Sequence, residues 1–410
     1  MWLLVAILAA TVVVAIVIGR SAVPASVGLV LVGLAASFVG PDIHLPISPA
    51  LLLAIVLPGL VFEAAFRTDL AVLRPTALSV FVLAIPGVVV VAVVVAVVLT
   101  ITTVLTPVEG FLVGAMVAAT DPAAVLSTFR HVPVPARLAT MVEMESLVND
   151  GTGIVLFSLA LEMLDGGGSP TGSILSFLVR VVGGALGGGL VGWLAARLVR
   201  QVDDHLAELT ITVVLAYGTY LAAEAAGLSG VIATLIAAGT FGAFARPGLT
   251  QRAIQAIDVV WEFAAFLLTA GVFLLVGVSI APDALIGSAV AIAWGIAAIL
   301  LARALVVYGV IGGGSAVLAR IAGTRDRAVI GAAAIPRAWL HVLFWAGLRG
   351  AVSVALALSI PPGLPHHDVI QGVTFGVVLF TLIVQGTTAG WVVRRVGASP
   401  GAPSGASSGA

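Results

Sequence analysis

Apolar runs long enough to cross a bilayer recur along almost the whole chain, and they leave little room for any fold but a helical bundle in lipid. They lie near residues 2–19, 25–40, 48–65, 77–105, 109–128, 138–163, 172–198, 206–226, 229–245, 253–280, 284–319, 336–359 and 369–393. Backbone polar groups in hydrocarbon have to be satisfied inside the segment itself, so each run reads as a helix. The expectation is an all-α polytopic membrane protein of about 13 transmembrane helices. The segment 284–319 is long enough to contain a re-entrant break. Composition agrees, with 61% hydrophobic and only 9% charged residues in 410.

Arginine placement orients the bundle. From Arg20, Arg67 and Arg74 through Arg130, Arg137, Arg197, Arg200, Arg246 and Arg252 to Arg337, arginines fall in every second loop, and Arg394 and Arg395 follow the last span. The intervening loops, around Asp42, Glu109, Asp165, Asp283 and Asp368, contain none. The positive-inside rule then puts the N-terminus outside and the C-terminus in the cytoplasm of a multi-pass cell-membrane protein. Arg20 follows the first apolar run instead of preceding it, which favours a first span over a cleaved leader. Residues 1–396 read as one membrane domain with no soluble domain attached. The Gly/Ala/Ser/Pro-rich stretch 397–410 reads as a disordered tail.

Several function classes drop out. A net charge of −1 offers no field for nucleic acid. The absence of cysteine removes disulfides, thiolate metal sites and cysteine catalysis. All basic side chains are arginine, so no mechanism can use a titrating lysine. No His-Glu-x-x-His or Gly-x-Ser-x-Gly motif supports an intramembrane enzyme. No cofactor is called for.

Two spans break helix rules. The fifth contains Thr120-Asp121-Pro122, where proline removes a backbone donor and disfavours helix before it. The twelfth contains Gly347-Leu348-Arg349-Gly350. Seven spans separate them, an odd number, so they enter the membrane in opposite directions. Paired interrupted helices in corresponding halves point to inverted repeats around a midplane site.

Acid accompanies the breaks. Asp121 lies in the first, and Glu145-Ser146-Leu147-Val148-Asn149-Asp150 lies inside the next span. A charge near the bilayer centre costs roughly 2.5–3.5 kcal/mol on insertion scales, so such residues mark ion or proton pathways. Helical spacing puts Ser146 and Asp150 on one stripe and Glu145 and Asn149 on its neighbour. A carboxylate is a hard oxygen ligand for a small alkali cation. Ser146 and carbonyls freed around Thr120 supply further oxygens, and a proton and a cation would compete for Asp150. That competition suffices to couple their flows. A cation channel is the alternative class, and it would need no titrating site; the paired broken helices argue against it.

The set Thr-Asp-Pro, Glu-Ser-x-x-Asn-Asp and Gly-Leu-Arg-Gly-Ala resembles the monovalent cation–proton antiporter family, NhaP-like branch. Phe62-Glu63 with Arg67-Thr68-Asp69-Leu70 looks like another family stretch, and Phe273-Leu274-Leu275-Val276-Gly277 is a weaker match. The resemblance covers residues ~1–395. It implies the sodium–proton antiporter fold and exchange of Na+ (or Li+) for H+, with K+/H+ exchange as the alternative on the same scaffold. It implies that Asp150 binds cation and proton alternately, with Ser146, Thr120 and Glu63 completing the Na+ site and Asp121 balancing helix-end dipoles at the crossing. It further implies that Glu145 pairs with Arg349, that Asn149 bonds the unwound segment around Thr120, and that an Asn at 149 goes with electroneutral one-for-one exchange. A homodimer is implied too, each subunit moving a core (helices ~77–163 and ~284–393) against dimerisation helices.

Other residues read more plainly. Glu143 is a funnel charge or a solvated helix start. Arg180 and Arg303 fall inside spans without an evident partner. His131 lies in a cytoplasmic loop, His341 reads as a packed histidine, and His366-His367 lack further metal ligands nearby. Gly183, Gly184, Gly187, Gly188 and Gly192 form a small-residue face for close packing within or between subunits.

Overall fold

A computed structural model describes residues 24–39, 49–166, 170–202, 204–280, 282–314 and 335–396, with Ala9 and Val13. The expected first span and the 397–410 tail therefore lie outside the described residues, apart from those two positions. Among the described residues all regular structure is helical, and nine helices are long and apolar enough to cross a membrane.

In chain order the main helices are α1 (Ala25–Val39), α2 (Pro49–Arg67), α3 (Ala77–Ala84), α4 (Pro86–Thr102), α5 (Pro107–Ala118), α6 (Ala123–His131) and α7 (Ala136–Leu164). There follow α8 (Pro170–Val199), α9 (His205–Ala225), α10 (Gly230–Ala245), α11 (Gln251–Ser279) and α12 (Ala289–Ala304). The chain closes with α13 (Arg337–Trp345), α14 (Ala351–Leu358), α15 (His367–Phe380) and α16 (Gly386–Arg395). α12 runs on into a π-helical stretch, Leu305–Gly312, and a second such stretch, Thr381–Gln385, joins α15 to α16. The latter places Thr381 against the second helix break, in keeping with the functional sites where π-bulges gather.

These helices sort into two bundles. α1, α2, α8, α9, α10 and α11 pack mainly on one another, with α8 against α10 and α11 against α1 and α2. α3–α7 and α12–α16 form the second, in which α4 packs on α5 and α12, α5 on α7, and α14 on α15. Between the bundles α7 meets α8, α10 and α2, and α14 meets α2 and α11. The second bundle contains both interrupted helices, each inside a three-span unit.

The glycine face of α8 packs within the subunit. A Cβ on Gly188 would sit 2.1 Å from the Ala233 carbonyl oxygen, and one on Gly192 2.4 Å from that of Ala237. α8 and α10 thus approach backbone to backbone, which only glycine permits. The opposite face of α8 is apolar and exposed, including Leu186, Leu190 and Leu194.

Candidate functional site: two broken helices crossing beside α7

Both breaks are where proline and glycine placed them. After Ala118 the chain runs non-helically through Ala119-Thr120-Asp121-Pro122 before α6 starts, and after Ala346 through Gly347-Leu348-Arg349-Gly350 before α14. The strands of chain touch, with the Asp121 N–H donating to the Leu348 carbonyl at 2.8 Å. Four half-helix ends converge here, each with backbone groups that lack an intrahelical partner.

Each end finds a charged partner. The Asp121 carboxylate accepts from the Ala123 N–H at 2.9 Å and from the Ala351 N–H, so one anion serves the N-termini of α6 and α14 together. A negative group suits that point, because helix N-termini carry partial positive charge. At the C-terminus of α5 the Arg349 guanidinium donates to the carbonyls of Ala118 and Ala119, at 2.6 and 3.1 Å. Ser353 Oγ donates to Met116 O at 2.7 Å, and the Arg349 N–H donates to Thr381 Oγ1 at 3.0 Å. Gly350 is required, since a Cβ there would lie 2.6 Å from Asp121 Cβ and nearer still to its Oδ2.

The expected Glu145–Arg349 pair is not what forms. Glu145 makes a two-pronged ion pair with Arg303 of α12, one arm at 2.9 Å, and both side chains are buried. Arg303 also donates to the Leu343 carbonyl at 2.8 Å, near the C-terminus of α13. Arg349 instead turns its Nη1 to the α5 carbonyls and makes no hydrogen bond to Glu145. Sequence reasoning noticed Arg303 as a charge inside a span, but a partner 158 residues away has no local signature.

Along α7 the expected stripe faces the first break. Asn149 holds Thr120 twice: its Oδ1 accepts from the Thr120 N–H at 3.0 Å, and its Nδ2 donates to Thr120 Oγ1 at 2.5 Å. Ser146 Oγ lies 2.9 Å from the same Thr120 Oγ1. Asp150, one turn beyond Ser146, is half-buried and makes no hydrogen bond or ion pair among the described residues. Asp121 and Arg349 are close enough to act on it electrostatically. The arrangement sets an uncommitted carboxylate one helical turn from Ser146, whose hydroxyl pairs with that of Thr120, while Asp121, Glu145, Arg303 and Arg349 are all hydrogen-bonded.

The sequence matches the transmembrane sodium/hydrogen exchanger family over residues 4–395. The chain belongs to that family. It is 38% identical over 385 residues to the Na+/H+ antiporter ApNhaP of Aphanothece halophytica, covering 92% of this chain and 70% of that protein. It is 35% identical over 382 residues to the Na+/H+ antiporter NhaS2 of Synechocystis, covering 93% and 68%. Among solved structures, the sodium proton antiporter MjNhaP1 of Methanocaldococcus jannaschii at pH 8 superposes with a TM-score of 0.74 at 21% identity, over 96% of this chain and 97% of that one. The fold is therefore the antiporter fold the resemblance implied.

Within this family member, the Glu63 Oε1 accepts from Arg67 at 2.7 Å, and among the described residues Glu63 makes no hydrogen bond to Thr120, Ser146 or Asp150. Arg180, read without a partner, pairs with Glu162 across α8 and α7. His341 Nδ1 lies 2.9 Å from the Tyr308 hydroxyl, and His131 Nδ1 3.1 Å from Ser127 O. His366 turns to Glu109, with Nδ1 3.2 Å from its carboxylate, and Glu109 caps α5 through Thr106.

Proposed function

We propose that the chain is a secondary antiporter that exchanges sodium (or lithium) for protons across a cell membrane, with both competing for Asp150. The observation that carries this reading is the contrast between two carboxylates at one crossing. Asp121 is fixed by two backbone donors, whereas Asp150 is free, half-buried and one helical turn from Ser146, whose hydroxyl pairs with that of Thr120. A group that must exchange its partner cannot be locked by hydrogen bonds, so Asp150 is the exchanging one. Kinship with proteins named Na+/H+ antiporters supplies the ions.

One-for-one, electroneutral stoichiometry follows from Asn149. Both ends of its amide are used to hold Thr120, so it contributes position and no second titrating group. One carboxylate then accepts either one proton or one monovalent cation. Alternating access moves the second bundle against the first, and the exposed apolar face of α8 suits a homodimer contact in the bilayer. The C-terminus and the arginine-rich loops face the cytoplasm.

The test is cation-driven proton flux in proteoliposomes with an internal pH dye, using separate sodium, lithium and potassium pulses under clamped potential. Flux with sodium, insensitive to voltage and abolished in Asp150→Asn that is folded by thermal unfolding, is the expected result. Substantial exchange in that variant would sink the mechanism. Flux with potassium alone would move the substrate, and conductive single-channel currents would move the class.

A further inference from the structure

Around the C-terminus of α2 the structure gathers six charged side chains that the crossing does not use. Arg67 is the hub. Its Nη1 donates to Glu63 at 2.7 Å, while its Nη2 donates to Glu262 Oε2 and to the Asp258 carbonyl, both at 3.1 Å. Its Nε lies 3.8 Å from the Asp258 carboxylate, which Arg246 also approaches at 3.4 Å. Arg246 is itself stacked over the Phe66 ring, 4.9 Å from its centroid. The sixth group, Glu143 of α7, acts on Glu63 and Arg67 across the gap between the bundles and makes no hydrogen bond among the described residues. Three carboxylates thus share two guanidinium groups, with Glu143 as a fourth acid close by.

The position of this cluster matters. Glu143, Ser146 and Asp150 lie on one face of α7, so Asp150 is about 10 Å further along the axis from Glu143. Thr68, next to Arg67, donates to Met144 Sδ at 3.3 Å, which fixes the end of α2 against the start of α7. Glu63 and Glu143 are thus close enough across the gap between the bundles to act on each other. Its side chain is 17% exposed and that of Arg67 35%, so the guanidinium has room to move where the carboxylate does not.

We propose that Arg67 is a tethered cation that competes with sodium for Glu63 and withdraws onto Asp258 and Glu262 when sodium enters. This rests on the antiport reading above and assigns Arg67 as a residue that sets sodium affinity. The redundancy of its partners is the physical argument. A guanidinium held by Glu63 alone would be stranded on leaving, at a cost set by its desolvation. With a second carboxylate and a carbonyl already bonded to Nη2, release of Glu63 breaks one bond of several. The geometry is that of a latch with a parking place, located on α11 at the edge of the first bundle.

The experiment reads the apparent KM for sodium and the turnover at saturating sodium in proteoliposomes, with thermal unfolding of every variant in parallel. Arg67→Gln is expected to lower the sodium KM by about three- to fivefold, the range a partly exposed ion pair supports. Turnover is expected to change less than affinity, and R67K to restore the original KM. Glu63→Gln should raise the KM, and adding R67Q to it should produce no further change. Glu262→Gln removes a parking place and should raise the KM, which keeps the test open if R67Q folds poorly. An unchanged KM in R67Q and E262Q, or the same drop from R67Q with and without Glu63, would overturn the proposal. Absence of sodium-driven flux in the unaltered protein would defeat the antiport reading itself, a separate outcome.

Discussion

The two interrupted helices solve one problem in two ways. At the α5–α6 break both ends are completed from within the crossing: Arg349 of the opposite break serves the α5 carbonyls, and the break's own Asp121 serves α6. The α13–α14 break borrows from further away. Asp121 again serves α14, but the carbonyl near the end of α13 is met by Arg303 of α12, which needs Glu145 of α7 to balance it. The first crossing is self-contained, and the second is bolted to two additional helices. The residues proposed to handle ions, Thr120, Ser146 and Asp150, lie beside the first, with Asn149 holding Thr120 in place. The difference teaches that one break was furnished for chemistry and the other for anchorage.

Breaking the anchorage should cost most. Arg303→Ala leaves Glu145 buried and unpaired and uncaps α13, a loss of about 3–5 kcal/mol by the usual cost of stranding a buried charge. Thermal unfolding in detergent should fall steeply, and removing both charges together with apolar replacements should recover much of the loss. If Arg349→Ala destabilises as much as Arg303→Ala, and the paired replacement recovers nothing, the distinction between the breaks fails. Gly350→Ala comes next. A methyl pressed onto Asp121 should cost about 1–3 kcal/mol as overpacking does, whereas Gly347→Ala, whose Cβ would meet the Arg303 side chain at 2.9 Å, should cost less. Equal effects at the two glycines would mean that the crossing tolerates displacement of Asp121. The smallest effect belongs to Arg180→Ala. Its pair with Glu162 is partly exposed, so a change under about 1 kcal/mol is expected. A larger one would place a third anchoring charge between the bundles.

Much of this was legible in the chain itself, for identifiable reasons. Proline at 122 and glycines at 347 and 350 act on their own backbone, so both breaks could be located without knowing what they touch. Ser146, Asn149 and Asp150 share a helix, and helical periodicity alone put them side by side. Asn149 meets Thr120 as expected. Glu145 was placed on the correct face but given the wrong partner, because two buried arginines competed for it. Arg349 had the more conspicuous motif, while Arg303 had the open geometry. The glycines of α8 announced a close approach without saying to what, and the answer was α10.

The sequence by itself determined the membrane-spanning helical character, the two breaks and the set of polar residues that share one side of α7. These depend on local covalent facts: hydropathy over a span, proline's missing donor and the pitch of a helix. Only the tertiary structure decided that Asp121 caps two helices at once, that Arg303 and not Arg349 holds Glu145, and that Arg67 also reaches Asp258 and Glu262. Those outcomes rest on which charged groups arrive at the same buried point. Where several arginines can reach one acid, the packing of distant helices chooses between them.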